Sequence, residues 1–400
     1  MLVIRLAIAL VAVVAAARAL RPLCRIAGQP PVVADMAAGI LLGPSFLGWV
    51  APAATAWLFA PAALGPLAQL AQVGVVLYMF VVGAELDFDR ARAQARSTAW
   101  VALAGIIVPV VLGALLATRL DEHLLPEGLP VWQAALFMGM AMAMTAFPVL
   151  ARILADTGLM ASLLGARALS CAAVADLIVW ATVGLMVGTF EQRSSAWMAP
   201  VFATTFVAGM LIVVRPAVTR ASTSTVAEGA LGLPLALAAV LAVAFVAEAA
   251  GVHAIVGAFL LGVGVPSESV LARSLRARLG TVLAIVLPAF FAVAGLRTEI
   301  GLIHGMNGWL TCAAIIMVAT AGKLGATAVA ARLSGSGWWD ATRLGVLMNV
   351  RGLMELLVLN VGLDLGLVSP EVYTMMVLMA LATTVMAVPT LALMGKGAAS

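Results

Sequence analysis

Long apolar runs alternate with short polar breaks along the whole chain. In windows of about 20 residues, the length a bilayer-crossing helix needs, the 400 residues divide into about thirteen spans. They lie near 2–20, 31–50, 64–86, 98–119, 131–153, 162–188 and 196–218. The rest fall near 228–249, 251–267, 278–297, 308–332, 339–362 and 370–395. The expected fold is all-α and polytopic. Connections are brief, leaving no room for a folded soluble domain, and no regulatory domain is expected after Ser400.

Two spans cannot be continuous helices. In AMTAFPVLARIL, Pro148 has no N–H to return to the carbonyl of Met144, and its ring disfavours helical geometry at Phe147. In LGVLMNVRGLMELLVLNVG the apolar run is interrupted by Asn349, Arg351, Gly352 and Glu355. Backbone freed at membrane depth is tolerated only where it faces protein or a water-filled cavity. An ordinary kink is the plain alternative, but the two breaks fall at matching places in an internal repetition. AGILLG around Gly43 returns as GAFLLG around Gly262, and MFVVGAELD around Gly83 as FAVAGLRTE around Gly295. Met144-Thr145 before Pro148 returns as Met348-Asn349 before Gly352, and the three offsets are 219, 212 and 204. Each pair joins spans an odd number apart, which reverses direction through the membrane. That pattern predicts inverted-topology repeats with a site near the midplane between two crossed broken helices. The expected division is one membrane domain over 1–400, with a first repeat at 31–188, linking helices at 189–250 and a second repeat at 251–395.

Composition agrees: 64% of residues are apolar and 10% charged, against roughly 25% charged in a soluble domain. The net charge of +4 follows from where the arginines sit and implies no nucleic-acid partner. Loops after odd-numbered spans, with their flanks, carry Arg18, Arg21, Arg25, Arg90, Arg92, Arg96, Arg152 and Arg167. Further along they carry Arg215, Arg220, Arg273, Arg276, Arg278, Arg332 and Arg343, whereas even loops hold little beyond Arg119, Arg193 and Arg297. Positive loops face the cytoplasm, so the N-terminus is expected outside a bacterial-type inner membrane and the C-terminus inside. The first apolar run precedes its arginines, the reverse of a secretory signal, and is read as a retained helix. Cys24, Cys171 and Cys312 show no metal or redox spacing, and no cofactor is expected.

The chemistry centres on Asp176, in ALSCAAVADLIVW. A carboxylate at mid-bilayer costs roughly 2.5–3.5 kcal/mol even on lenient insertion scales, so it reads as a functional site. Its expected partner is Lys323 in TAGKLGATAVAARL, the only lysine inside a span. A buried aspartate beside an ammonium is balanced between its neutral and ionised forms, and such a group can trade a proton for a monovalent cation. A static buried ion pair is the bland alternative. Thr145 adds a hydroxyl at the first break, and Arg351 with Glu355 has the spacing of a helical pair that steadies the second. Arg297 and Glu299 read as interfacial, His253 and Glu248 as structural, and Cys171 and the methionines at 138–144 as packing.

These motifs resemble the monovalent cation/proton antiporters, in the branch of the bacterial Kef-type and plant CHX-type proteins. The matching stretches are GQPPVVADMAAGILLGPSFLG, TAFPVLARIL, AAVADLIVW, AEAAGVHAIVGAFLLG, LPAFFAVAGLRTEIG, GKLGA and LMNVRGLMELLVLNVGLDLG, from Gly28 to Gly366 and in the family's order. The resemblance implies a mobile core, spans four to six and eleven to thirteen, sliding against a second part that forms a homodimer interface in the lipid. It also implies that Asp176 carries Na⁺, K⁺ or H⁺, that Lys323 pairs with Asp176, and that Thr145 lies where the first unwound segment meets the ion. Relatives carry Asn or Asp before the essential aspartate, where this chain has Ala175, and often Glu where it has Asp35. Lacking a second carboxylate, the site suits exchange of one proton for one cation, which is electroneutral. An organic-anion symporter of the same architecture is the competing transport reading. An intramembrane aspartyl protease needs two carboxylates sharing a proton, and no second aspartate lies deep in a span.

Overall fold

The computed structural model describes residues 2–29, 31–85, 95–121, 124–126, 130–190, 198–222, 231–296, 300–352, 355, 358–359, 362–363 and 365–396. Arg90, Arg92, Arg193, Arg297 and Glu299 lie outside them. In order the main helices are α1 (Leu2–Ile26), α2 (Pro31–Leu42), α3 (Pro61–Glu85), α4 (Ala95–Ala117), α5 (Val131–Ala143), α6 (Phe147–Asp156) and α7 (Leu163–Phe190). Then come α8 (Met198–Gly209), continued through a π turn into Arg215–Ser222, α9 (Gly232–Ala249), α10 (Ala254–Val263) and α11 (Val270–Leu296). The last three are α12 (Gly305–Leu333), α13 (Trp338–Met348) and α14 (Pro370–Lys396). Among the described residues ten helices are long and apolar enough to cross a membrane. The expected thirteen is not reached by that measure: α10 has ten residues, the segment holding α13 is interrupted, and α7 is not among the ten.

Packing sorts these helices into two groups. In the first, α2 lies against α1 and α11, and α3 against α10 and α11. In the second, α4 packs on α5, α7 and α12, while α12 packs on α13 and α14. Without a hydrophobic drive between helices in lipid, close backbone approach has to come from small residues. The glycines that repeat in sequence do this crosswise. A Cβ on Gly43 would lie 3.0 Å from the Gly295 carbonyl, and one on Gly83 would lie 3.1 Å from the Cα of Gly262. Gly43 thus meets the sequence counterpart of Gly83, and Gly83 meets the counterpart of Gly43.

Both breaks are real and both follow from local chemistry. α5 ends at Ala143, after which Met144 is extended (φ −66°, ψ 150°). Pro148 then falls in the first turn of α6, where its missing N–H has no intrahelical acceptor to lose. At the other break α13 stops at Met348, residues 350–352 are not helical, and residues 355, 358–359 and 362–363 resume the helix.

Candidate functional site

The two breaks touch. The N–H of Ala146 donates to the carbonyl of Val350 at 2.9 Å. The hydroxyl of Thr145 donates to the carbonyl of Met348 at 2.9 Å. Gly352 permits the approach, since a Cβ there would lie 2.8 Å from a methyl of Val149 and 3.3 Å from the Cβ of Ala146. Each unwound segment therefore satisfies part of the other's freed backbone, which apolar surroundings demand.

The carbonyls at the end of α5 are the next obligation, because a helix C-terminus leaves its last carbonyls without helical donors. Two buried cations meet it. The guanidinium of Arg351 donates to Ala141 O at 3.3 Å and to Met142 O. The ammonium of Lys323 donates to Ala143 O and to Gly105 O at 2.8 Å. Positive charge at this end also complements the helix dipole. Arg351 is in turn 3.7 Å from Glu355, with both side chains buried. Its peptide is bracketed by Thr384 on α14, whose hydroxyl accepts from Arg351 N–H at 3.1 Å and donates to Arg351 O at 2.6 Å.

Asp176 lies on α7, 1% exposed. Its helix packs against α5 and α6 on one side of the crossing and against α13 on the other. The preceding Ala175 packs with Ala143 at the end of α5 and with Ile106. Among the described residues, no donor reaches either carboxylate oxygen of Asp176. Lys323 is the charge that acts on it, but no direct ion pair joins the two side chains. The pairing expected from sequence is thus replaced by bonds from Lys323 to two backbone carbonyls. The Thr145 hydroxyl is engaged by the second break, and among the described residues no donor reaches the buried side-chain oxygen of Asn349.

Phe147 and Pro148 are buried, and the Phe147 ring meets Phe259 of α10 edge-on, with centroids 4.7 Å apart. His253 caps α10, its Nδ1 accepting from Ile255 N–H at 3.3 Å, and Gln72 donates to Glu248 at 3.4 Å. Cys171 is buried, with its sulfur 3.6 Å from Thr98 O.

Sequence reasoning missed Thr384 and the Gly105 carbonyl. The second was within reach: Pro109, four residues after Gly105 in α4, supplies no N–H, so that carbonyl was bound to need an outside donor.

The chain's similarities to known proteins agree with this architecture. The profile of the family described as "Sodium/hydrogen exchanger, transmembrane" matches residues 7–397. The chain belongs to the sodium/hydrogen exchanger family. This family of monovalent cation/proton antiporters comprises transporters, not enzymes. Among its members, the chain is 36% identical to the Na(+)/H(+) antiporter NhaS4 of Synechocystis sp. over 373 residues, covering 90% of each. It is 33% identical to cation/H(+) antiporter 19 of Arabidopsis thaliana, covering 92% of this chain and 47% of that protein. With K(+)/H(+) antiporter 1 of Saccharomyces cerevisiae it shares 29% identity over 90% of this chain and 42% of the yeast protein. The chain therefore spans nearly all of the cyanobacterial relative and less than half of the plant and yeast ones. Among solved structures, the sodium proton antiporter MjNhaP1 from Methanocaldococcus jannaschii matches with a TM-score of 0.70 over 97% of this chain and 96% of that one. At 11% identity that likeness speaks to the fold alone.

Proposed function

We propose that this exchanger swaps one monovalent cation, Na⁺ or K⁺, for one proton by alternating access, with Asp176 as the shared binding site. One observation carries the reading: a buried carboxylate that no donor among the described residues reaches, on a helix packed against both broken helices. A bare carboxylate in that setting needs a positive occupant, and a proton or a small cation supplies the same single charge. The other buried charges of this group have partners of their own: Lys323 and Arg351 on carbonyls, Glu355 on Arg351. The core then carries the same net charge whichever occupant Asp176 holds, and Ala175 adds no second acid. Both points support electroneutral exchange.

In this reading Thr145, Phe147, Pro148, Asn349, Gly352, Arg351 and Glu355 shape and brace the crossing, and Lys323 acts through the end of α5. The crosswise glycine contacts support inverted repeats at 31–188 and 251–395. The arginine-rich loops support an N-terminus outside the cell and a C-terminus in the cytoplasm. The homodimer rests on family resemblance.

The test uses everted vesicles loaded with a pH dye. Adding Na⁺ or K⁺ dissipates an imposed proton gradient without a signal from a potential-sensitive dye, and Asp176→Asn removes the response. Full exchange in Asp176→Asn would sink the assignment.

A further inference from the structure

A proline inside a helix strips the carbonyl four residues earlier of its donor. In α14 Pro389 does this to Val385. The vacated carbonyl is taken by Gln29, whose amide donates to it at 3.0 Å. Gln29 lies in the connection between α1 and α2, in the first packing group, whereas α14 belongs to the second. This bond therefore crosses from the scaffold to the core, between residues 356 positions apart.

Two ion pairs flank the same boundary, one on each side. Arg21 on α1 donates to Asp35 on α2 at 3.1 Å. Arg152 pairs with Asp156 at 3.0 Å on α6, the half-helix that leaves the crossing. α2 packs against α6, and after Arg21 the charges that act on Asp35 are those of Arg152 and Asp156. Arg21 ends span one and Arg152 ends span five, both at the arginine-rich side.

The partnering has a consequence for motion. Each ion pair lies within one group: Arg21–Asp35 in the scaffold, Arg152–Asp156 in the core. The boundary between them can part without leaving any charge alone, so separation avoids the penalty of an unpaired buried ion. The Gln29–Val385 bond is solvent-exposed, so water replaces it on opening and its net worth is small. The bonds that join the two breaks are buried and cannot be exchanged for water so cheaply. The crossing accordingly moves as one piece, and the boundary at Gln29 and Asp35 is where the protein opens.

We propose that Gln29 is a positioning residue of the exchange cycle: its bond to Val385 closes the scaffold onto the core at the arginine-rich side, and this contact breaks each time that side opens. The proposal rests on the alternating-access reading above.

The test is made in full-length protein with Cys24, Cys171 and Cys312 replaced by serine, reconstituted in liposomes. Gln29→Cys is combined with Val385→Cys and treated with a short bifunctional thiosulfonate. The pair is expected to link, in gels, well above a Gln29→Cys/Leu393→Cys control; Leu393 is 74% exposed and two helical turns further along α14. A yield no higher than that control overturns the contact whether or not exchange is measured. Linking is expected to cut exchange more than tenfold, with recovery on reduction. Linked protein exchanging at the unlinked rate would overturn the latch while leaving Asp176 as the ion site. Unlinked protein whose exchange survives Asp176→Asn would instead remove the functional reading. Without any linker, Gln29→Leu is expected to shift the apparent KM for the cation about two- to fourfold, the lower end of the worth of one hydrogen bond, with a smaller change in kcat. Unchanged KM and kcat in Gln29→Leu count against the proposal.

Discussion

The ammonium of Lys323 donates to the carbonyl of Gly105 at 2.8 Å, at the point in α4 where Pro109 has withdrawn the helical donor. The same ammonium caps the last carbonyl of α5. Lys323 is thereby a fastener between α12, α4 and the first broken helix, and its charge reaches Asp176 without touching it.

If that is its work, Lys323→Ala leaves two buried carbonyls without a donor, at a cost of about 1–3 kcal/mol each. Melting of the purified protein in detergent should drop by several degrees, with some cation-dependent proton movement remaining. Pro109→Ala returns an N–H to the Gly105 carbonyl and should recover part of the loss. A double-mutant cycle measures the coupling, and additive effects would show that the two residues do not share this carbonyl.

Asp176→Asn should behave in the opposite way. Exchange disappears, yet the fold keeps or gains stability, because a neutral amide replaces a carboxylate that no donor among the described residues reaches. Thermal melting beside the vesicle assay separates the two effects. A large fall in melting temperature would mean that Asp176 has a structural partner.

At the second break, Arg351→Met strands Glu355 as a buried unpaired charge, a loss of about 3–5 kcal/mol. Arg351→Met with Glu355→Gln should express and melt closer to wild type than Arg351→Met alone. Arg351→Lys is not a mild change either, because one ammonium cannot reproduce the fork that reaches Ala141 and Met142. Equal damage in the single and double variants would argue that the pair contributes nothing.

Gly352→Ala drives a Cβ to 2.8 Å from Val149, an overpacking penalty of about 1–3 kcal/mol. Adding Val149→Ala removes the obstructing methyls and should restore melting temperature and exchange together. A benign Gly352→Ala would mean that the crossing is looser than the contacts at Ala146 and Val149 indicate.

The order of amino acids by itself determined where the helices break, which glycines recur in an internal repetition, and that a single aspartate sits deep in an apolar helix. These follow from what single residues are: a proline lacks its N–H and a glycine lacks its Cβ in any surroundings. Only the tertiary structure decided which acceptor each buried donor takes. Lys323 had Asp176 as the evident partner, yet it lies on carbonyls 180 and 218 residues away in the chain. The Thr145 hydroxyl donates to Met348, 203 residues further along the chain. Arg351 reaches past Glu355 to the end of α5. The reason is reach: in an interior without water every freed carbonyl competes for the few donors present, and three-dimensional proximity settles that competition where spacing along the chain cannot.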